Sequence, residues 1–203
     1  MNWILNSIIF FASVAAMIFL VIKSSSHRKK QDEINKNFLE REEAANAVRK
    51  KEIDPHLFFE ADLSHFPKIS EDDPFQIIRC SKRVMIRFET PVTNLELKNL
   101  YGLSQMDLIA QYEENFNAYL KSLTQWAASL AEKNSGDALK IVEYVISLGG
   151  EFRDSYKIAA DIYAKNGEQE KLDALTDAAE QNYFNDPSIR KQIIDYINMK
   201  EIA

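Results

Sequence analysis

A run of twenty residues without a charged side chain, 3–22, constrains this chain more than any other feature. At about 1.5 Å of rise per residue, a helix of this length matches the hydrocarbon core of a bilayer, which is about 30 Å thick. Within the run only Asn6, Ser7 and Ser13 are polar. The pattern therefore predicts an N-terminal transmembrane helix over 3–22, with the lipid bilayer as a partner of the protein.

Two other structures compete for this segment. A cleaved signal peptide needs a basic leader, a shorter apolar stretch and small residues at its end. No Lys or Arg precedes the run, and the bulky residues Leu20 and Ile22 end it. A buried core helix is disfavoured because the run is apolar on all sides. We therefore expect a permanent anchor.

Basic residues follow the predicted span at once. They are Lys23, Arg28, Lys29 and Lys30. Because cations mark the cytoplasmic side of a span, they predict a single-pass protein of the cell membrane, with its N-terminus outside and its C-terminal domain in the cytoplasm. The same four residues are candidate contacts to anionic lipid at the membrane surface. Alternatively, they only set the topology.

The charge balance and the scarcity of reactive groups restrict the possible functions. The chain has 31 acidic and 25 basic residues, and the segment 101–203 has 17 acidic against 10 basic residues, a net charge of −7. Binding to nucleic acid needs clustered cations, so we expect no nucleic-acid partner. The motifs of nucleotide-binding loops, zinc proteases and dithiol sites are missing from the sequence. We therefore expect a protein that is not an enzyme and has no cofactor.

Two small groups of residues leave alternatives open. His56, Asp62 and His65 could bind a metal, but their spacing is not that of a metal site. Cys80 could be a nucleophile, but no histidine lies near it in the sequence, and a buried structural thiol is the favoured interpretation. We assign no catalytic, cofactor-binding or metal-binding residue.

Three regions follow the span. The sequence predicts a basic flank and a charged juxtamembrane helix in 23–53, an extended strap and short amphipathic helices in 54–103, and a helical domain in 104–203. The juxtamembrane helix, over 31–52, is rich in strong helix formers. Its narrow apolar stripe could pair with a second copy in a coiled coil, which would make the protein a homo-oligomer, or could pack on the chain's own domain.

Two short helices are predicted in the middle region. The first runs from Pro74 to Phe88 and has one apolar face. Its other face is basic and carries Arg79, Lys82, Arg83 and Arg87. This face is either solvated or in contact with the membrane surface or an acidic partner. The second helix covers about Asn94–Tyr101, because a capping box precedes it and Gly102 supplies a left-handed stop.

The C-terminal region contains a repeat. The string that begins at Ala127 returns at Ala159, an interval of 32 residues, and the helices that follow align at 34 residues, Ala138 against Leu172. Helix-turn-helix units at a fixed period are typical of solenoids. A last helix, from Ser188 to about Met199, would cap the stack. An ordinary helical bundle is the alternative.

The second unit of this repeat resembles the tetratricopeptide repeat. The residues that carry the resemblance are Tyr156, Ala159, Ala160, Tyr163, Gly167 and Ala179. Leu172 departs from the family pattern, in which an alanine opens the second helix. The resemblance covers about Phe116–Met199 and implies a concave groove lined by the first helix of each pair. The groove residues that it implies are Gln125, Ser129, Lys133, Lys157, Asp161 and Lys165.

The segment 38–54 (FLEREEAANAVRKKEID) also resembles the juxtamembrane helix of small single-span proteins of anaerobic Gram-positive bacteria. The predicted fold class is therefore all-α, with one transmembrane helix, a charged juxtamembrane helix and a tetratricopeptide-like domain. We expect a membrane-anchored, non-catalytic adaptor that presents this domain to the cytoplasm and binds a protein or peptide. The alternative is an obligate structural subunit of a membrane complex, with an exposed apolar patch around 57–66.

Overall fold

The computed structural model of the protein describes residues 30–64, 66–67, 76–182, 184 and 186–201. This part of the chain is mostly helical. Its helices are α1 (30–46), α2 (Gln76–Ser81), α3 (Asn94–Tyr101), α4 (Met106–Leu130), α5 (Ser135–Ser147), α6 (Arg153–Asn166), α7 (Gln169–Gln181) and α8 (Pro187–Glu201). Two short strands, β1 (Phe58–Phe59) and β2 (Met85–Ile86), form an antiparallel pair.

The prediction of a single-pass membrane protein is wrong for the residues that the structure describes. No helix among them is both long enough and apolar enough to cross a bilayer. Even α4, with 25 residues, is interrupted by charged side chains such as Glu113 and Lys121. This finding contradicts the transmembrane part of the predicted fold class and the predicted location in the cell membrane. The segment 3–22 itself lies outside the described residues.

The candidate contacts to a membrane surface also lie mostly outside the described part of the chain. Lys23, Arg28 and Lys29 precede it. Lys30 is the first described residue, and its side chain is exposed at the beginning of the described part of α1.

The contacts within the chain divide it into two compact units. The smaller contains the described residues of Met1–Lys51 together with Asn94–Ser104, and the larger contains those of Glu52–Thr93 and Gln105–Ala203. Each unit is described below by itself.

An ion pair and a buried alanine connect α1 with α3 in the smaller unit. Lys98 Nζ lies 2.6 Å from Glu42 Oε2, and Ala45 is fully buried. The predicted apolar stripe of α1 is covered only at this end, since Ile34 and Phe38 are 51% and 56% exposed. The described helix ends at 46 rather than at the predicted 52, because the chain after it turns away in an extended segment.

A left-handed glycine ends α3 at the predicted place. The helix covers Asn94–Tyr101, as the sequence predicted, and Gly102 follows with a φ of 83°. Its amide donates to the Lys98 carbonyl (2.8 Å). A Cβ added to Gly102 would lie only 2.8 Å from the Val48 carbonyl oxygen. The position therefore needs glycine both for its backbone conformation and for the close approach of the segment after α1.

The described residues of the predicted strap, 56–64 and 66–67, lie across α4 and α5 in the larger unit. The ring of Phe59 lies 5.0 Å from that of Phe116, and the ring of Phe66 lies 5.0 Å from Tyr144 and 6.2 Å from Trp126, all edge-on. Edge-to-face aromatic pairs add to the stabilisation that apolar burial supplies. The strap is therefore part of the core of its own unit, and it does not form the exposed apolar patch that a structural subunit would need.

The predicted helix from Pro74 to Phe88 is wrong in its second half. The described helix α2 ends at Ser81, and the chain then turns into β2. Phe58 pairs with Ile86, and the Arg87 amide donates to the Leu57 carbonyl (2.9 Å). These bonds provide partners for backbone groups of the strap. Pairing with a distant segment thus overrides the helical periodicity of the sequence.

The helices α4 to α8 pack on one another in chain order. In addition α4 contacts α6, and α6 contacts α8, so alternate helices are also neighbours. Asn134 caps α5 by accepting the Asp137 amide (3.2 Å), and Gly167 ends α6 with a φ of 72°. The small residues of the repeat are fully buried where these helices approach: Ala127, Ala138, Ala159, Ala160 and Ala179.

Neighbouring phenylalanines on the strap supply a test of its packing. Phe59→Ala is expected to lower the free energy of unfolding by about 2–3 kcal/mol, because it leaves a cavity against Phe116 and Tyr119. Phe58→Ala, at a side chain that is 41% exposed, is expected to lower it by about 1 kcal/mol or less. Urea unfolding followed by circular dichroism measures both losses. Equal losses would contradict the burial of the strap.

Two glycines with similar backbone angles supply a test of the close approach at the end of α3. An alanine costs about 1–2 kcal/mol in the left-handed region at either Gly102 or Gly149. A Cβ at Gly149 meets nothing within 4 Å, whereas at Gly102 it meets backbone. The Lys51 amide donates to the Tyr101 carbonyl (3.1 Å). We expect Gly102→Ala, but not Gly149→Ala, to accelerate hydrogen exchange at the Lys51 amide, because the added Cβ pushes the segment after α1 away from α3. Unchanged exchange at Lys51 would refute the contact.

Candidate functional site

The first three predicted groove residues lie on one side of α4 and just beyond its end. Gln125 is exposed. Ser129 is also exposed, and its hydroxyl donates to the Trp126 carbonyl (2.7 Å). Lys133 is exposed in the turn after the helix, where its amide donates to the Leu130 carbonyl (2.9 Å). Among these three, Gln125 lines the clefts described below.

The predicted groove residues on α6 lie in a different environment. Asp161 Oδ1 accepts the Tyr196 hydroxyl of α8 (2.8 Å) and lies 2.7 Å from Lys200 Nζ. The Nζ of Lys157 lies 4.9 Å from the centroid of the same tyrosine ring. Lys165 is exposed near the end of the helix. Helix α8 therefore contacts Lys157 and Asp161, and the Asp161 side chain stays 49% exposed. The groove that the resemblance implies stays a prediction.

An open cleft of about 310 Å³ lies between α2 and α4. Its lining residues are Arg79, Cys80, Arg83, Ala118, Lys121, Ser122 and Gln125. A second open cleft, of about 350 Å³, lies between α4, the beginning of α6 and α8. Its lining residues are Lys121, Thr124, Gln125, Phe152, Arg153, Asp154, Ile189 and Gln192. Lys121 and Gln125 line both clefts. We name the two clefts together the α4 groove.

Hydrogen bonds orient two of the cations in the α4 groove. Arg83 Nη1 donates to Asn115 Oδ1 (3.3 Å), and the Asn115 amide in turn donates to the Val84 carbonyl (2.9 Å). Arg153 Nη1 donates to Gln192 Oε1 (2.9 Å), which connects α6 with α8. The acceptors are neutral amides, so they position the guanidinium groups without neutralising their charge.

A buried hydroxyl pair connects the walls of the groove. Thr124 Oγ1 on α4 lies 2.8 Å from Ser155 Oγ on α6, and the Thr124 hydroxyl also contacts the Leu120 carbonyl (3.0 Å). Both residues are buried. Separating the members of a buried polar pair is unfavourable, because it leaves polar groups without partners, so such a pair fixes the distance between the two helices. The spacing between α4 and the beginning of α6 is therefore well defined.

The sequence predicted only part of this groove. The sequence predicted a basic face that carries Arg79 and Arg83, but it did not predict that these residues lie beside α4. Gln125 was recognised through the resemblance to a helical repeat. The contributions of Lys121 and Arg153 were missed, because an isolated cation on an amphipathic helix is usually a solvated residue. Only packing between distant segments brings these residues together.

The reactive residues singled out in the sequence do not converge. Among the described residues, no group of three His, Cys, Asp or Glu side chains could hold a metal ion. Asp62 accepts the Ser64 amide (2.8 Å), and His65 lies outside the described part. Cys80 is a free thiol that is 7% exposed at the edge of the α4 groove.

A comparison with known proteins finds no matching family model, no matching curated protein and no matching solved structure. The two resemblances inferred from the sequence are therefore untested and stay predictions.

Burial keeps tyrosines of α6 protonated beyond their ordinary range. It raises the pKa of Tyr156 and of Tyr163. The Tyr163 hydroxyl also donates to Glu143 Oε1 (2.6 Å), and this carboxylate further disfavours the phenolate and so adds to the raised pKa. The same combination of burial and a carboxylate, here Asp161, raises the pKa of Tyr196.

The raised pKa values predict a loss of stability at alkaline pH. The contribution of Tyr163 is fully present below the unfolded pKa of about 10 and is lost as the pH rises towards the folded pKa, because unfolding then releases a proton. We expect Tyr163→Phe to flatten the decrease in the free energy of unfolding above about pH 10. Urea unfolding at a series of alkaline pH values measures it. An unaltered slope would show that Tyr163 ionises as in the unfolded chain.

Proposed function

We propose that this chain is a non-catalytic protein-interaction module that binds an extended peptide segment of a partner in the α4 groove. The observation that carries the proposal is that two open clefts share Lys121 and Gln125 in their linings, which places them side by side along α4. Each residue of an extended peptide spans about 3.3–3.6 Å, so a long open groove can hold several residues in sequence. The mixed lining of cationic, amide and apolar side chains suits polar backbone and side-chain contacts.

The packing of α4 to α8 supports a tetratricopeptide-like arrangement. Alternate helices contact one another, and the turn after α6 has a left-handed Gly167 at the position that the resemblance requires. Tyr156 and Tyr163 are buried, as the aromatic positions of such a repeat are expected to be. Leu172, the departure from the pattern, is also buried and is only 1% exposed. Repeat folds of this kind present extended surfaces to their partners.

The groove that we propose differs in position from the one implied by the resemblance. Helix α8 engages Lys157 and Asp161, which shortens the surface along α6. On the other side of α4, helix α2 lines the first cleft. The buried Thr124–Ser155 pair restrains the walls. A preorganised groove loses less conformational entropy when a ligand binds, which favours affinity.

A structural subunit of a larger assembly is a second candidate, because α1 exposes apolar side chains. Ile34, Phe38 and Leu39 are 51%, 56% and 65% exposed. In this case α1, and not the α4 groove, would make the essential contact. Substitutions in the groove would then leave binding to the partner unchanged, so the following test separates the two candidates.

Selection of peptides from a random displayed library against the full chain tests the proposed function. We expect it to yield binders whose affinity falls about ten-fold or more in Gln125→Trp, because the indole fills the point where the clefts meet. Lys171→Trp, at an exposed position of α7, is the matched control and is expected to bind within about two-fold of the original chain. Fluorescence anisotropy measures the affinities, and circular dichroism verifies folding.

Two results would count against the proposal. If the selection yields no binding peptide, the proposed function fails. If the selected peptides bind both tryptophan variants equally well, they bind outside the α4 groove, and the site is assigned incorrectly.

A further inference from the structure

The α4 groove is a basic surface on an acidic protein. Four cations line it, Arg79, Arg83, Lys121 and Arg153, and the lining includes one acidic residue, Asp154. The whole chain has a formal net charge of −6, and the segment 101–203, which contributes α4 to α8, has 17 acidic against 10 basic residues. The positive charge is therefore concentrated in the groove against the overall balance of the protein.

Among the described residues, no carboxylate forms an ion pair with any of the four cations. Arg83 and Arg153 donate to the neutral amides of Asn115 and Gln192, which leaves further N–H groups of each guanidinium available. Clustered charges of one sign in a cleft produce a stronger local potential than isolated surface charges. A ligand with several negative charges is the complement of this potential.

Guanidinium groups suit carboxylate ligands. Arg79 lies on α2, and Arg83 lies two residues beyond the end of this helix. Both line the first cleft together with Lys121. Each guanidinium can form two parallel hydrogen bonds with one carboxylate, so acidic side chains are suitable partners for these arginines.

We propose that the α4 groove binds an extended peptide segment that is rich in Asp or Glu residues. This inference rests on the proposed function and adds the charge of the partner. A nucleic acid is the less suitable ligand, because affinity for phosphates grows with the number of cations along the backbone, and here four cations are surrounded by a net negative chain.

Fluorescently labelled probes added to the full chain test the inference. The first is a peptide of alternating Glu and Ser, the second replaces each Glu by Gln, and the third is a single-stranded oligonucleotide. We expect the alternating peptide to bind about ten-fold or more tightly than the Gln peptide. Because the contacts are electrostatic, raising the salt concentration is expected to weaken its binding.

Paired charge reversals locate the binding. Arg79→Glu/Lys121→Glu is expected to weaken binding of the alternating peptide about ten-fold or more, because like charges then face the ligand. Neither of these side chains makes a hydrogen bond within the described residues, so the fold is expected to persist. Lys133→Glu/Lys171→Glu makes the same change of charge at exposed positions outside the groove lining, and it is expected to leave affinity within about two-fold.

The outcomes separate this inference from the proposed function. Equal binding of the Glu and Gln peptides, or equal losses of affinity in the two double variants, would contradict the proposal that the partner is acidic. The proposed function still stands in that case if peptides from the random library are blocked by Gln125→Trp. If the oligonucleotide binds more tightly than the alternating peptide, and if this binding is lost in Arg79→Glu/Lys121→Glu, the ligand of the groove is a nucleic acid and not a peptide.

Discussion

Burial of α4 on several sides is the interaction on which the larger unit depends. The helix contacts α2 and β2, and it also contacts α5 and α6. Its buried side chains recur at intervals of one to four residues and include Phe116, Tyr119, Leu120, Leu123, Trp126 and Ala127. Full burial of each large apolar side chain contributes about 1.5–3 kcal/mol. Helix α2, of six residues, and the two-residue strands are too short to be stable alone, so they depend on α4 for their positions.

The α4 groove is a consequence of this arrangement. When the strap and β2 cover one part of α4, helix α2 is held beside it, and Arg79 and Arg83 lie next to Lys121. When α6 and α8 pack beyond α4, Arg153 and Gln192 complete the second cleft. The groove thus joins residues from segments that are more than a hundred positions apart in the sequence. Its cations are exposed, and the hydrogen bonds of Arg83 and Arg153 go to neutral amides.

Some helix boundaries were predictable, because they depend on neighbouring residues. The boundaries of α3 and the turn at Gly102 match the prediction, since a glycine with positive φ is a local requirement. Burial of the repeat's alanines also follows from its period. The predicted helix up to Phe88 failed, because pairing of Ile86 with Phe58 depends on a segment almost thirty residues away. The contact of α8 with Asp161 was not predicted for a similar reason, since Tyr196 lies 35 residues further along the chain.

By itself, then, the sequence determined a mostly helical chain, the repeat that places small residues at the helix contacts, and a strap that is too apolar to be a free linker. These properties follow from backbone preferences and hydrophobic periodicity, which act over one or two helical turns. Only the tertiary structure decided which faces stay open. It buried Phe59, engaged Lys157 and Asp161 with α8, and brought Arg79 and Arg83 to Lys121. The physical reason is that the exposure of a helix face depends on what packs against it, and those neighbours come from distant parts of the chain.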